Sequence, residues 1–377
     1  MSQTTDFLSP DAKIFAVHQT LETSGARRAH VFVLDDAIHL AVPQLAEDMP
    51  DRPANMNGGN ADVDALLYRW DGGRFVEDGQ LPCPGGEDAL CFINAEGTFL
   101  AFANLRTGSG PYQANIGSLI YRRADGEWEL DDSIPSFGAK QWHHFTIGER
   151  EFLALAQGLV IPNVPIAPLG HGRSVVFERA GGEWEEFQVI GGRFGYNWHD
   201  FEIDGEHFLA YADQASPSLI YRWDGSRFLP YQTFAEIGGR AFRFFTHEGE
   251  KWLAFAAIAG ESTLYRWNGE LFVGHQSLGG QGGREFELIE SEHGLFLVRV
   301  CFIAGSPADP KTDLTSQLFK WIDGKFECVE EFPTFGGTSA SHFVADGSDY
   351  LAVSNSLTPE VRFRQDMVIY KLSLDRA

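Results

Sequence analysis

Short stretches of alternating apolar and polar residues, punctuated by glycine turns, run the whole length of the chain, and one of them keeps returning. Ser218-Leu219-Ile220-Tyr221-Arg222-Trp223 alternates with a period of two and leads into Asp224-Gly225, the pattern of a half-buried strand entering a tight hairpin. The same order of aromatic, base and Trp or a substitute stands at Tyr68-Arg69-Trp70 and Tyr121-Arg122-Arg123, and further copies start at Phe177, Tyr265 and Phe319. A seventh, Tyr370-Lys371-Leu372, is cut off at the C-terminal end.

Three more strands belong to each unit. After the hairpin comes a segment such as Phe272-Val273-Gly274-His275-Gln276, then a glycine turn such as Gly279-Gly280. A strand anchored on phenylalanine follows, as in Trp142-His143-His144-Phe145-Thr146-Ile147, and then a small-residue strand, as in Phe152-Leu153-Ala154-Leu155-Ala156. Four strands per unit and seven units predict an all-β fold, a seven-bladed β-propeller of four-stranded antiparallel blades. The last repeat lacks a fourth strand, while Phe15-Ala16-Val17-His18-Gln19 stands alone at the start. Pairing the two completes blade 7 and hides two sheet edges. Residues 1–377 are therefore read as one propeller domain, with repeats from about 13 to 372.

The repeat F-x-I-x-G-x-x-F-L-A-x-A, S-x-I-Y-R-W-x-G-x-F and Q-x-I-x-T-x-G-A resembles the EAR repeat, also called EPTP, of the leucine-rich glioma-inactivated proteins. That resemblance implies a seven-bladed propeller. It also implies a calcium ion in the channel of some animal members, held by acidic side chains at the start of the innermost strand, and receptor ectodomains as partners.

Composition narrows the function. Fifty-three acids against 29 bases leave a formal charge of −24, which repels phosphate backbones and anionic lipid, so neither nucleic acid nor membrane is expected as a partner. Cys83, Cys91, Cys301 and Cys328 lack CxxC spacing, and neither a disulfide framework nor a zinc site is expected. With no basic n-region or apolar h-region in the first ten residues, the expected location is cytoplasmic.

With the four strands of a blade named a to d from the channel outwards, the start of a, the end of b and the b–c connection share one face. Long b–c connections at 45–63, 105–117, 158–173, 302–315 and 356–366 elaborate that face, and the apolar run at 160–169 forms part of it. Aligning the a strands on Phe32, Phe92, Phe145, Phe201, Phe245, Phe286 and Phe343 brings His30, Leu90, His143, His199, Arg243, Arg284 and Ser341 to one position, two residues before the anchor. Four residues before it stand Arg28, Asp88, Gln141, Asn197, Ala241, Gly282 and Ser339.

This ring suggests a cofactor-independent enzyme doing acid–base chemistry, such as cyclisation, isomerisation, elimination or hydrolysis, on an apolar molecule with an anionic or phenolic end. In that reading His143, His199 and His30 are catalytic, and Arg243 and Arg284 hold the anionic group. Trp142, Trp198, Asn104, Gln157, Asp213 and Asn355 complete the pocket. No cofactor is predicted; the histidines suit a transition metal better than calcium, and the arginines disfavour a dication. The alternative is a protein-interaction module that binds its partners on the long-loop face.

Overall fold

The computed structural model describes residues 14–159, 172–306 and 308–377. Seven four-stranded antiparallel sheets follow one another along the chain. Their innermost strands, the a strands of blades 1 to 7, are His30–Leu34, Gly86–Asn94, Gln141–Ile147, Gly195–Ile203, Gly239–His247, Gly283–Ser291 and Gly337–Ala345. Each a strand contacts the next around a central axis, and that of blade 7 meets that of blade 1. The ring closes as the sequence suggests: Phe15–Leu21 pairs with Met367–Leu372, Phe15 opposite Leu372 and Leu21 opposite Met367, as the outermost strand of blade 7. A small extra hairpin, Ala304–Ser306 with Asp309–Lys311, rises from the b–c connection of blade 6.

The repeated residues of the motif each have a mechanical task. At the a–b turn of blade 4, Asp204 and Gly205 take φ values of 54° and 85°, the paired positive φ of a tight hairpin whose twist matches its strands. The Leu-Ala strands b are fully buried because each blade packs between two others. Phe201, Phe208 and Ala210 of blade 4, for example, share one cluster with Phe242, Phe255 and Phe272 of blade 5. Fully burying one such side chain is worth about 2–3 kcal/mol.

Two polar devices stitch the blades together. The glutamine of strand d imitates a backbone unit for the next blade: Gln232 donates to the Phe272 carbonyl at 2.7 Å and accepts the Phe272 N–H at 2.9 Å. Gln19 with Phe75, Gln188 with Phe228 and Gln276 with Phe326 repeat the arrangement. In strand c, the serine before the Ile-Tyr pair accepts the N–H that ends strand b, as Ser218 does from Asp213 at 3.2 Å. That hydroxyl leaves no room on the next blade. A Cβ on Gly239 would sit 2.3 Å from Ser218 Oγ, so the a strand must begin with glycine there.

Candidate functional site

Strand a carries its side chains to the channel in successive layers below the long-loop face. One of these is the layer picked out by the histidines. Pairing with strand b places His30, Leu90, His143, His199, Arg243 and Ser341 at equivalent positions, opposite Ala41, Ala101, Ala154, Ala210, Ala254 and Ala352. Blade 6 differs from the sequence alignment. Val298 faces Glu287, so Glu287 completes the layer and Ile289 is the anchor. Phe286 takes the place held by Trp142, Trp198 and Phe242 in other blades, three residues above the anchor. Aligning on aromatics therefore shifted this blade by three residues. With the correction, Arg284 leaves the histidine layer for a higher one, and Glu285 takes the position assigned to Gly282.

The histidine layer serves as an inter-blade tie. The Phe244 N–H of blade 5 donates to His199 Nε2 at 3.0 Å, so that nitrogen carries no proton of its own. Burial, with help from His143 and Arg243, pushes the His199 pKa down to about 3. His30 is likewise pushed down to about 3 by burial and by Arg28. His143 Nε2 lies 2.8 Å from Asp200 Oδ1 and 3.1 Å from the Asp200 N–H. Burial raises the Asp200 carboxyl, but the His143 hydrogen bond and charge outweigh it and hold the group below its ordinary range. The rings of His143 and His199 are 5.9 Å apart, centre to centre. Arg243 is spent on Glu287 across the blade boundary, and Glu287 also accepts the His342 N–H at 3.1 Å.

One layer up, the same logic continues. Asp88 accepts the Trp142 N–H at 2.8 Å, Gln141 the Trp198 N–H at 2.6 Å and Asn197 the Phe242 N–H at 2.8 Å. Arg28 bridges Asp88 at 3.0 Å and Glu285 at 2.7 Å. Burial still lifts the Asp88 carboxyl to about 6 against the pull of Arg28.

The other sequence-selected residues are built into turns and core. Trp142 and Trp198 are wholly buried, Trp142 donating to the Phe102 carbonyl at 3.1 Å and Trp198 packing on Tyr211. Asn104 donates to the Pro84 carbonyl at 3.0 Å and accepts the Leu119 N–H at 3.0 Å. Gln157 accepts the Phe137 N–H at 2.8 Å and donates to Arg173 at 2.7 Å. Asn355 accepts the Phe335 N–H at 2.9 Å and donates to Asp366 at 3.3 Å. Asp213 accepts from the Tyr211 hydroxyl and from the N–H groups of Ala215 and Ser216 at 2.7–2.8 Å. Among the described residues, no group of three or more His, Cys, Asp and Glu side chains is placed to hold a metal ion. The apolar run at 160–169 lies outside the described residues.

Of the layer nearest the mouth, the sequence singled out only Arg284, and placed it among the histidines. Arg27, Glu87, Lys140, Tyr196, Arg240, Arg284 and Thr338 each follow a small residue, Gly or Ala, at or shortly before the start of strand a. A β-bulge at this point, as between Gly239 and Ala241 or Gly283 and Glu285, breaks the alternation on which face prediction depends. The available signal was a base directly after the turn in four of the seven blades.

Residues 185–224 and 227–268 match the family model described as EPTP domain. A human protein named "Thrombospondin-type laminin G domain and EAR repeat-containing protein" is 30% identical over 158 residues, 39% of this chain and 21% of the relative. Its mouse counterpart is 30% identical over 162 residues, 40% of this chain and 22% of the relative. The matched stretch thus spans about a fifth of each relative. Among solved structures, BBS1N in complex with ARL6DN superposes with a TM-score of 0.57 at 12% identity, covering 95% of this chain and 97% of that one. Saccharomyces cerevisiae Sqt1 gives 0.54 at 10% identity, covering 94% and 98%. At such identities these two show the propeller fold alone.

These findings overturn the expectation of a cofactor-independent acid–base enzyme acting on a small organic ligand. The matched family and relatives are EAR-repeat proteins and point instead to protein interaction. The geometry agrees with that correction. The supposed acid–base pair is engaged in backbone and carboxylate ties, and the two arginines assigned to one anion stand in different layers.

Proposed function

For this chain, a seven-bladed propeller built of EPTP repeats, we propose the role of a protein-interaction module that presents its long-loop face to partners. The observation that carries the reading is that the b–c connections of three adjacent blades, 7, 1 and 2, are locked into one platform. Arg106 donates to the carbonyls of Asn57 and Gly58 at 2.6 and 2.5 Å and stacks on Tyr112 at 3.9 Å. The Tyr112 hydroxyl reaches the Gly59 carbonyl at 2.7 Å. Across the blade 7 boundary, Asp48 accepts the N–H groups of Phe363 and Arg364, both at 3.0 Å, and Arg362 donates to the Arg52 carbonyl at 3.0 Å. Loops fixed in this way lose little freedom on binding, which favours affinity.

The opposite face offers short a–b and c–d turns. A partner is expected to be sensitive to Asn55, Ser109 and Pro359, exposed residues of the platform. The test is to capture partners with the immobilised protein, purify the principal one, and compare its affinity for N55R, S109R and P359R with that for E149R and E292R on the opposite face. Loss of more than tenfold confined to the first set supports the reading. Loss confined to the second set, or no saturable partner at all, refutes it.

A further inference from the structure

The layer nearest the mouth holds charges that the interaction reading leaves unused. Arg27, Lys140, Arg240 and Arg284, from blades 1, 3, 5 and 6, are only 5, 3, 6 and 7% exposed. One carboxylate stands among them: Glu87 is 3.7 Å from Arg27 Nε and 3.8 Å from Arg284 Nη2. Tyr196 gathers the others, with the Arg240 guanidinium 3.7 Å, the Arg284 guanidinium 5.0 Å and Lys140 Nζ 5.4 Å from its ring centre. Arg240 Nε and Nη1 and Arg27 Nε are buried without a hydrogen-bond partner. Above them lies an apolar collar from the b–c connections of blades 5, 6, 7, 1 and 2, including Ile258, Phe302, Leu357, Leu45 and Leu105. Phe302 covers the Arg27 guanidinium at 5.4 Å.

Buried cations that are neither paired nor solvated are costly. Burial first, and then the neighbouring arginines, bring Lys140 down to about 7 against the pull of Glu87, which offers one relief. Arginine offers none, because it keeps its proton. Even with Lys140 neutral, three guanidinium groups face one carboxylate, an excess of two positive charges. A single doubly charged ion would neutralise it, and the planar donor fork of arginine matches the oxygen edges of a tetrahedral anion.

We propose that the channel mouth beneath the apolar collar is a binding site for one inorganic oxyanion, phosphate or sulfate, held by Arg240, Arg284, Arg27 and Lys140. The site has the opposite sign to a calcium-binding channel. Chloride fills it poorly, having one charge and no pair of acceptor atoms to meet a guanidinium fork.

The full chain, prepared throughout in chloride buffers, is unfolded thermally across a phosphate series and a sulfate series, with potassium chloride holding the ionic strength constant. A ligand that binds only the folded state raises the midpoint with its concentration. The expected result is a progressive rise for the natural chain. Arg240→Gln is expected to melt higher than the natural chain in chloride, because one unpaired charge is gone, and to lose the response to either oxyanion. If Arg240→Gln fails to fold, Arg284→Gln, which removes another guanidinium of the same layer, makes the same comparison. Ion chromatography of acid-denatured protein, prepared without the chloride exchange, is expected to release one phosphate or sulfate per chain. No response beyond chloride, an equal response in natural chain and variant, or a variant that melts lower in every buffer overturns the proposal.

Discussion

Replacing Gln232 with methionine removes the tie between the outer strands of blades 4 and 5 while keeping the volume of the side chain. Two hydrogen bonds are lost, one from Gln232 Nε2 to the Phe272 carbonyl and one from the Phe272 N–H to Oε1, at 2.7 and 2.9 Å. Each is worth about 1 kcal/mol net, and a partly buried amide left unpaired adds a further fraction, so the expected loss is about 2–3 kcal/mol. Urea unfolding followed by tryptophan fluorescence should show a lower midpoint with an unchanged slope. Hydrogen exchange should place the damage: the Phe272 amide is expected to exchange roughly 30- to 150-fold faster. A change below about 0.5 kcal/mol, within the range of an ordinary surface substitution, together with an unaltered Phe272 amide, would refute the claim that this glutamine holds neighbouring blades together.

Three further outcomes follow from the channel and the serine ties. Gly239→Ala forces a Cβ to within 2.3 Å of Ser218 Oγ; a loss of about 1–3 kcal/mol is expected by urea unfolding, and the double variant with Ser218→Ala should recover part of it. His199, held at about 3 against an ordinary 6.5, refuses a proton that the unfolded chain accepts, so stability should fall as pH drops below 6.5, by up to about 2 kcal/mol on reaching pH 5. His199→Gln, which keeps an acceptor for the Phe244 amide, should remove the His199 share of that fall from a pH series of unfolding curves and leave the share of His30, which is pushed down to about 3 as well. Lys140 acts with the same sign in a higher window: the unfolded chain carries its proton from pH 7 to 10.5 while the folded chain does not. Stability in chloride should therefore rise by up to about 2 kcal/mol from pH 7 to 8.5, and Lys140→Met should abolish the rise.

What the sequence showed and what it hid have physical reasons. Blade count and closure were legible because the aromatic of strand c and the Leu-Ala of strand b recur with constant spacing, and because Phe15 to Gln19 has no other strand to pair with. The register of blade 6 was hidden because Ile289 does the anchoring task that phenylalanine does in the other six blades, while Phe286 supplies a misleading aromatic three residues earlier. Arg240 was hidden by the bulge that begins its strand, since strict alternation cannot place a residue that lies on a bulge; Arg27 and Lys140 stand before the first paired residue of their a strands, and Arg284 was put in the wrong layer by the register of blade 6. The histidines were found but misread. Position alone does not show whether an imidazole nitrogen faces a substrate or, as His199 does, the backbone of the next blade.

The role of the long-loop face is tested most directly by site-specific photo-crosslinking in the cells from which the protein comes. A photoreactive side chain is placed in turn at Asn55, Ser109 and Pro359 on the platform, and at Glu149 and Glu292 on the opposite face. The same partner protein joined covalently from the three platform positions, and from neither of the others, is the result predicted. Adducts from Glu149 or Glu292 alone, or no adduct from any platform position, would contradict it.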